Sequence, residues 1–136
     1  MATESEISGW IWNAQERIRK YRQIVEDCDK QIARLEPVYQ ALGEIKSDFR
    51  SARKSTKEIV ERKGIWRGEK HTSFRNAGER LDDVCGWYYH RLDAAHDAVN
   101  SKIGELKAKK QELIPIIGDL LAKITQWTTA IKNMGN

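Results

Sequence analysis

The chain has 136 residues, a formal charge of +4 and 32% charged residues, with only two prolines, Pro37 and Pro115. That length suits one domain of roughly 100–150 residues, and the prevalence of Lys, Arg, Glu, Ala, Ile and Leu argues for long helices and against a sheet protein. Cys28 and Cys85 are too far apart for a metal spacing and too few for a disulfide framework, so each reads as a small buried apolar residue.

The N-terminal stretch "MATESEISGW" has neither a basic n-region nor an apolar h-region. No apolar run approaches the ~18 residues of a membrane span. The expectation is a protein made and folded in the cytoplasm, with no classical signal peptide and no membrane insertion.

The first predicted arm covers about residues 5–63. Apolar or small residues recur at Ile7, Ile11, Ala14, Ile18, Tyr21, Val25, Cys28, Ile32, Leu35, Tyr39 and Leu42, in alternating steps of four and three. That is a heptad seam of period 3.5. Beyond Leu42 the apolar residues shift phase by one, through Ile45, Phe49, Ala52 and Ile59, which predicts overwinding or a bend near Gly43. The predicted turn, about 64–69, is "GIWRGE", with Gly64 placed to cap the first helix and Gly68 as a second break.

The second arm, about 70–133, repeats the pattern through Leu81, Cys85, Tyr88, Leu92, Ala95, Val99, Ile103 and Leu106, then Leu113, Ile117, Leu120, Ile124, Trp127 and Ile131. Only the step at Lys109–Lys110 is polar. Two seams of this length predict a single all-α domain over 1–136, a long antiparallel helical hairpin of coiled-coil type, with kinks at Pro37 and Pro115. The competing arrangement is a compact four-helix bundle broken at the two prolines. Folding about Trp66 places Pro37 opposite roughly residue 96 and Pro115 opposite roughly residue 18, so the breaks do not align and kinks are favoured over turns.

The stripe is wider than one facing helix covers. Trp10, Trp12, Ile24 and Val38 flank the first seam, and "ELIPIIGDLLAKITQW" is densely apolar. Trp10, Leu113, Ile114, Ile117, Leu120, Leu121, Ile124 and Trp127 are therefore read as a partner-binding surface. The plainer alternative is that the two chain ends cover each other, Trp10 and Trp12 lying near Leu121–Trp127.

Catalytic chemistry finds no foothold. His71, His90 and His96 have no metal-ligand spacing and read as surface residues. Asp82 and Asp83 are adjacent, so on a helix they diverge by about 100° and share neither a proton nor a metal. No phosphate loop, nucleophile elbow or Cys–His pair is present, and the expectation is a non-enzyme without catalytic residues, metal or cofactor. From Lys46 to Lys70 a local charge of +5 raises nucleic-acid binding. Interrupting acids and the lack of interleaved aromatics make a solvated helix face the simpler reading, and no nucleic-acid partner is expected.

Trp66, Gly68 and Phe74 read W-x-G-x5-F between two long helical halves. The pattern resembles the WXG superfamily of small proteins exported by type VII secretion systems, whose hairpin carries Trp-x-Gly in its turn. Over roughly residues 20–125 the chain is more closely similar to the YwqH-like branch, encoded beside LXG-domain polymorphic toxins in Gram-positive bacteria. The stretches that carry this are "KQIARLEPVYQALGEIKSDF", "WRGEKHTSF" and "YYHRLDAAHDAVNSKIGEL". The resemblance implies a chaperone-like secretion partner that binds the helical N-terminal LXG domain of a toxin, with room for a second small helical partner. It implies presentation to the secretion ATPase and export with the cargo.

Tyr89 and Asp93 match the family's Tyr-x-x-x-Asp/Glu export motif, though well inside the second arm rather than beyond it. Trp66 is expected either to close the hairpin tip or to be read by the machinery. The alternatives kept beside this reading are a stand-alone homodimeric coiled coil and a basic nucleic-acid-binding hairpin.

Overall fold

The computed structural model describes residues 2–61 and 69–135, with side-chain surroundings for residues 2–58 and 72–135. Among these the chain forms two helices, α1 (Glu4–Glu61) and α2 (Glu69–Met134), and no strand. They make an all-α antiparallel helical hairpin. Trp66 and Gly68 lie outside the described residues.

The helix ends follow from local chemistry. Thr3 caps α1: its hydroxyl accepts the Glu6 N–H at 3.2 Å and its carbonyl accepts the Ile7 N–H at 3.0 Å. Glu4 and Glu6 place negative charge on the positive end of the helix dipole. At the other terminus the Gly135 N–H donates to the Ile131 carbonyl, and Lys132 sits in the last turn of α2.

Both helices run through their prolines, which removes the compact four-helix bundle. Pro37 and Pro115 are both exposed and occupy heptad position f, farthest from the facing helix. The ring and the missing N–H therefore fall on the wet side, where water satisfies the freed carbonyl.

Chain contacts divide the hairpin into two units, Met1–Arg34 with Ile103–Asn136, and Leu35–Lys102. In the first unit α1 and α2 meet through apolar heptad positions. Ile7, Ala14, Ile18, Cys28, Ile32, Ile103, Leu106, Leu113 and Leu120 are all buried. Ala14, Ile18 and Leu120 form a cluster flanked by Tyr21, Ile116, Ile117, Ile124 and Trp127. Trp10 meets Trp127 with ring centroids 5.8 Å apart, the contact the plainer reading of the sequence allowed, whereas Trp12, expected beside it, is 63% exposed. The polar step at Lys110 is met by an ion pair with Asp29 across the seam.

Gly118 on α2 has open space where a Cβ would stand. Gly118→Ala is expected to stabilise the protein by about 0.5–1 kcal/mol through reduced backbone entropy loss. The check is a raised denaturant midpoint at unchanged m-value.

The second unit keeps the same register without the predicted phase slip. Besides Gly43, its half-buried positions on α1 are Leu35, Tyr39, Leu42, Lys46, Phe49, Arg53 and Thr56, continuing the steps of four and three straight past Gly43. On α2, besides Gly86 and Asp93 at position e, they are Gly78, Asp82, Cys85, Tyr89, Leu92, His96 and Val99. Ile45, Ala52, Leu81, Tyr88 and Ala95, expected in the seam, are instead exposed. Each precedes a polar residue that takes the seam position: Lys46, Arg53, Asp82, Tyr89 and His96. Long basic side chains can bury their stems in a seam while carrying the charge to a partner, so the heptad persists with polar members. Among the described residues of this unit none is fully buried.

Candidate partner-binding face

In the second unit the two sides of the helix pair differ. Position e lies to one side of the seam and position g to the other, and in an antiparallel pair e faces e and g faces g. The e side is polar. Lys46 forms an ion pair with Asp93. Arg50 donates to the Tyr89 hydroxyl at 2.6 Å, and Arg53 grips Asp82 with two hydrogen bonds of 2.7 and 3.2 Å. Tyr39 and His96 stack with centroids 4.2 Å apart and planes 9° from parallel.

One glycine makes room for this side, Gly86 beside Arg53, while Gly43 leaves only an ordinary contact distance. A Cβ on Gly86 would stand 3.1 Å from the Arg53 guanidinium, and one on Gly43 would stand 3.5 Å from the His96 ring. The Arg53 hydrogen bond holds the Asp82 carboxyl below the usual carboxylate range and raises Arg53 in turn. The Lys46 hydrogen bond acts the same way on Asp93, with Lys46 raised. Partial desolvation opposes each of these shifts.

The g side is apolar. Val38, Ile45 and Ala52 occupy g on α1, and Phe74, Leu81, Tyr88, Ala95 and, at the unit's end, the charged Lys102 occupy g on α2. Each lies one residue before the seam in register with it, a rotation of about 100°. Because the helices are antiparallel, that rotation turns both rows toward the same side. Ala41 on α1 and Ala77, Val84 and Ala98 on α2 widen the strip at position c. Tyr88 is 52% exposed, Leu81 49% and Ile45 47%. Beside the strip, Trp87 stacks edge-on to Tyr88 with centroids 5.2 Å apart and carries Arg91 over its face at 4.2 Å.

The facing helix leaves this second apolar row exposed beside the seam.

The sequence-predicted sites fall as follows. Trp66 and Gly68 are outside the described residues, and Phe74 stands at the start of the exposed α2 row. Tyr89 and Asp93 do share one side of α2, but both are engaged by α1, through Arg50 and Lys46. The expectation that Tyr89 lies beside the seam with Tyr88 in it is reversed: Tyr89 holds the seam position.

The predicted partner surface is corrected too. Leu113 and Leu120 are buried in the first unit's own seam, and Ile117, Ile124 and Trp127 are half-buried there. Trp10, Ile114 and Leu121 remain exposed, but Trp10 at g and the other two at e lie on opposite sides and form no continuous face. The larger face, on Ile45, Leu81, Val84 and Tyr88, is one the sequence reading does not predict, because that reading places Ile45, Leu81 and Tyr88 in the seam and gives Val84 no role. Their signal was present as an apolar row one residue ahead of a polar heptad row.

Of the basic stretch, Lys46, Arg50 and Arg53 are drawn into the helix pair. His96 is in the seam rather than on the surface. Cys28 is buried as expected and Cys85 only partly so; both are free thiols. An open groove of about 390 Å³ runs beside the Arg53–Asp82 pair, lined by Thr56, Lys57, Arg75 and Glu79 among others. Among the described residues no three His, Cys, Asp or Glu side chains converge in a metal-binding group. No helix of the described residues is long and apolar enough to cross a membrane.

No family model, curated protein or solved structure matches the chain.

Proposed function

We propose that this protein is a non-enzymatic helical partner for a larger helical protein, of the kind the W-x-G-x5-F pattern suggests: a small type VII secretion factor that binds the helical N-terminal LXG domain of a toxin. The observation that supports this reading is the uncovered apolar face of the Leu35–Lys102 unit, with Leu81, Val84, Tyr88 and Ile45 exposed in heptad register. A helical cargo offering its own apolar stripe covers such a face by helix-in-groove packing. In this reading the complex is handed to the secretion ATPase and leaves the cytoplasm by type VII export.

Co-expression with the helical N-terminal region of an LXG-domain toxin, followed by pull-down, tests the proposal. The expected result is a stable complex that Leu81→Glu with Tyr88→Glu abolishes while the helical circular dichroism signal persists. Recovery of the chain only by itself, with the LXG-type region soluble and unbound, overturns it. Trp66→Ala is expected to reduce export more than stability if the tryptophan is read by the machinery. Equal losses of both assign it to closing the tip.

A further inference from the structure

We propose that a groove in the first unit binds a medium-chain fatty acid, its carboxylate held between Arg17 and Lys123 and its alkyl chain against Trp10 and Trp127. The groove belongs to the unit that the proposed cargo face does not use, and it does not depend on that reading.

The groove lies on the g side of the seam. Its floor is Ala14 and Leu120, 3% and 5% exposed, and the small alanine sets that floor low between larger neighbours. At one end the rings of Trp10 and Trp127 meet at 53° with centroids 5.8 Å apart. That spacing is less than the two van der Waals separations of about 3.5 Å each that an inserted ring requires. A flexible alkyl chain follows such a tilted wall, whereas a flat ring finds no slot in it.

Antiparallel pairing then places the cations. Arg17 follows Trp10 by two turns on α1, and Lys123 precedes Trp127 by one turn on α2, so both stand inward of the ring pair, one on each rim. From Trp10 to Arg17 the groove runs about 10 Å at 1.5 Å per residue, the reach of an extended octanoate. Its volume of about 410 Å³ falls within the ~300–1,000 Å³ of ordinary ligand pockets.

Charge selects an anion. In the g and c rows over residues 3–20 and 116–133 the charged side chains are Glu6, Arg17, Lys20, Asp119 and Lys123. Of these only Arg17 and Lys123 line the groove; Glu6 lies beyond the ring pair toward the chain end, and Asp119 lies a turn inward of Lys123. Among the described residues neither lining cation forms an ion pair. Arg17 is held instead by Tyr21, donating to its hydroxyl at 3.3 Å and standing 5.7 Å from its ring centroid. Further guanidinium N–H groups are left for a carboxylate, whose two oxygens match their fork, and Lys123 adds a charge-assisted donor from the opposite rim. A bare anion uses only the cations and a hydrocarbon only the apolar wall; a fatty acid engages both.

Isothermal titration of the full chain with octanoate tests the site. The expected result is one ligand per chain with a submillimolar Kd. Binding should be at least tenfold weaker for 1-octanol, which lacks the charge, and for butyrate, which does not reach the ring pair. Arg17→Gln with Lys123→Gln should weaken octanoate at least tenfold at unchanged helical circular dichroism, both side chains being exposed. Arg22→Gln with Lys132→Gln removes the same charge on the e side and should leave the affinity within twofold. The absence of saturable binding in the millimolar range overturns the proposal, as does equal weakening by the two charge pairs or equal affinity for octanoate and 1-octanol. Co-sedimentation with phosphatidylglycerol vesicles in the absence of octanoate binding also overturns it, and reassigns the groove to a lipid surface.

Discussion

Leu120→Ala is expected to destabilise the protein by about 3 kcal/mol, while Leu121→Ala, one residue further on, costs less than about 1 kcal/mol. Leu120 is 5% exposed and packs with Ala14 and Ile18 at the centre of the first unit, whereas Leu121 is 41% exposed. Truncating the buried leucine loses transfer free energy and leaves a cavity, because Tyr21, Ile117 and Ile124 around it are held by their own helices and collapse only partly. At Leu121 water already covers much of the side chain, so little burial is lost. Thermal unfolding of the two variants separates them: about 3 kcal/mol lowers Tm by roughly 10 °C in a chain of this size. Equal losses for both would mean that Leu121 is also buried, and that an association covers it.

Acid is expected to loosen the Leu35–Lys102 unit before the unit formed by the chain ends. Asp82 and Asp93 titrate lower in the fold than in the unfolded chain, because Arg53 and Lys46 hydrogen-bond their charged forms. Such groups contribute stability above the unfolded carboxyl value of about 3.9 and lose it as pH falls through the folded values. The second unit has no fully buried side chain among its described residues to compensate, while the first retains Ile18, Ile103, Leu113 and Leu120. Between pH 5 and pH 2, amide exchange corrected for intrinsic rates should therefore accelerate at residues 40–55 and 80–97. It should change little at residues 12–30 and 105–125. Uniform acceleration along both helices would refute a division of labour between an ionic and an apolar unit. Asp82→Asn with Asp93→Asn should bring the second unit to its loosened state already at pH 7.

The same contrast explains what could be read from the residues beforehand. Where a seam position carries Ile, Leu or Ala, as at Ile18, Leu113 and Leu120, the hydrophobic period identifies it directly. Where it carries Lys46, Arg53, Asp82, Tyr89 or His96, the period still holds, but hydrophobicity points to the neighbour: Ile45, Ala52, Leu81, Tyr88 or Ala95. The apparent slip at Gly43 came from this. The helix runs on through Gly43, where a Cβ would meet His96 only at an ordinary 3.5 Å; the crowded glycine is Gly86, beside Arg53. The partner surface was misplaced for the same reason. A dense apolar segment such as "ELIPIIGDLLAKITQW" looks in excess until its own hairpin covers most of it, and a regular row looks used when it is free.

The sequence by itself determined the all-α class, the two long helices and the antiparallel hairpin, since these rest on composition, heptad spacing and length, each readable along one dimension. Only the tertiary structure decided which of two adjacent rows faces inward. That choice depends on whether Lys46 and Arg53 find Asp93 and Asp82 across the pair, residues some thirty to fifty positions away along the chain. A buried or half-buried cation is tolerated only with its counter-charge in place, so pairing across the hairpin sets the inner row and leaves Leu81, Val84, Tyr88 and Ile45 facing out.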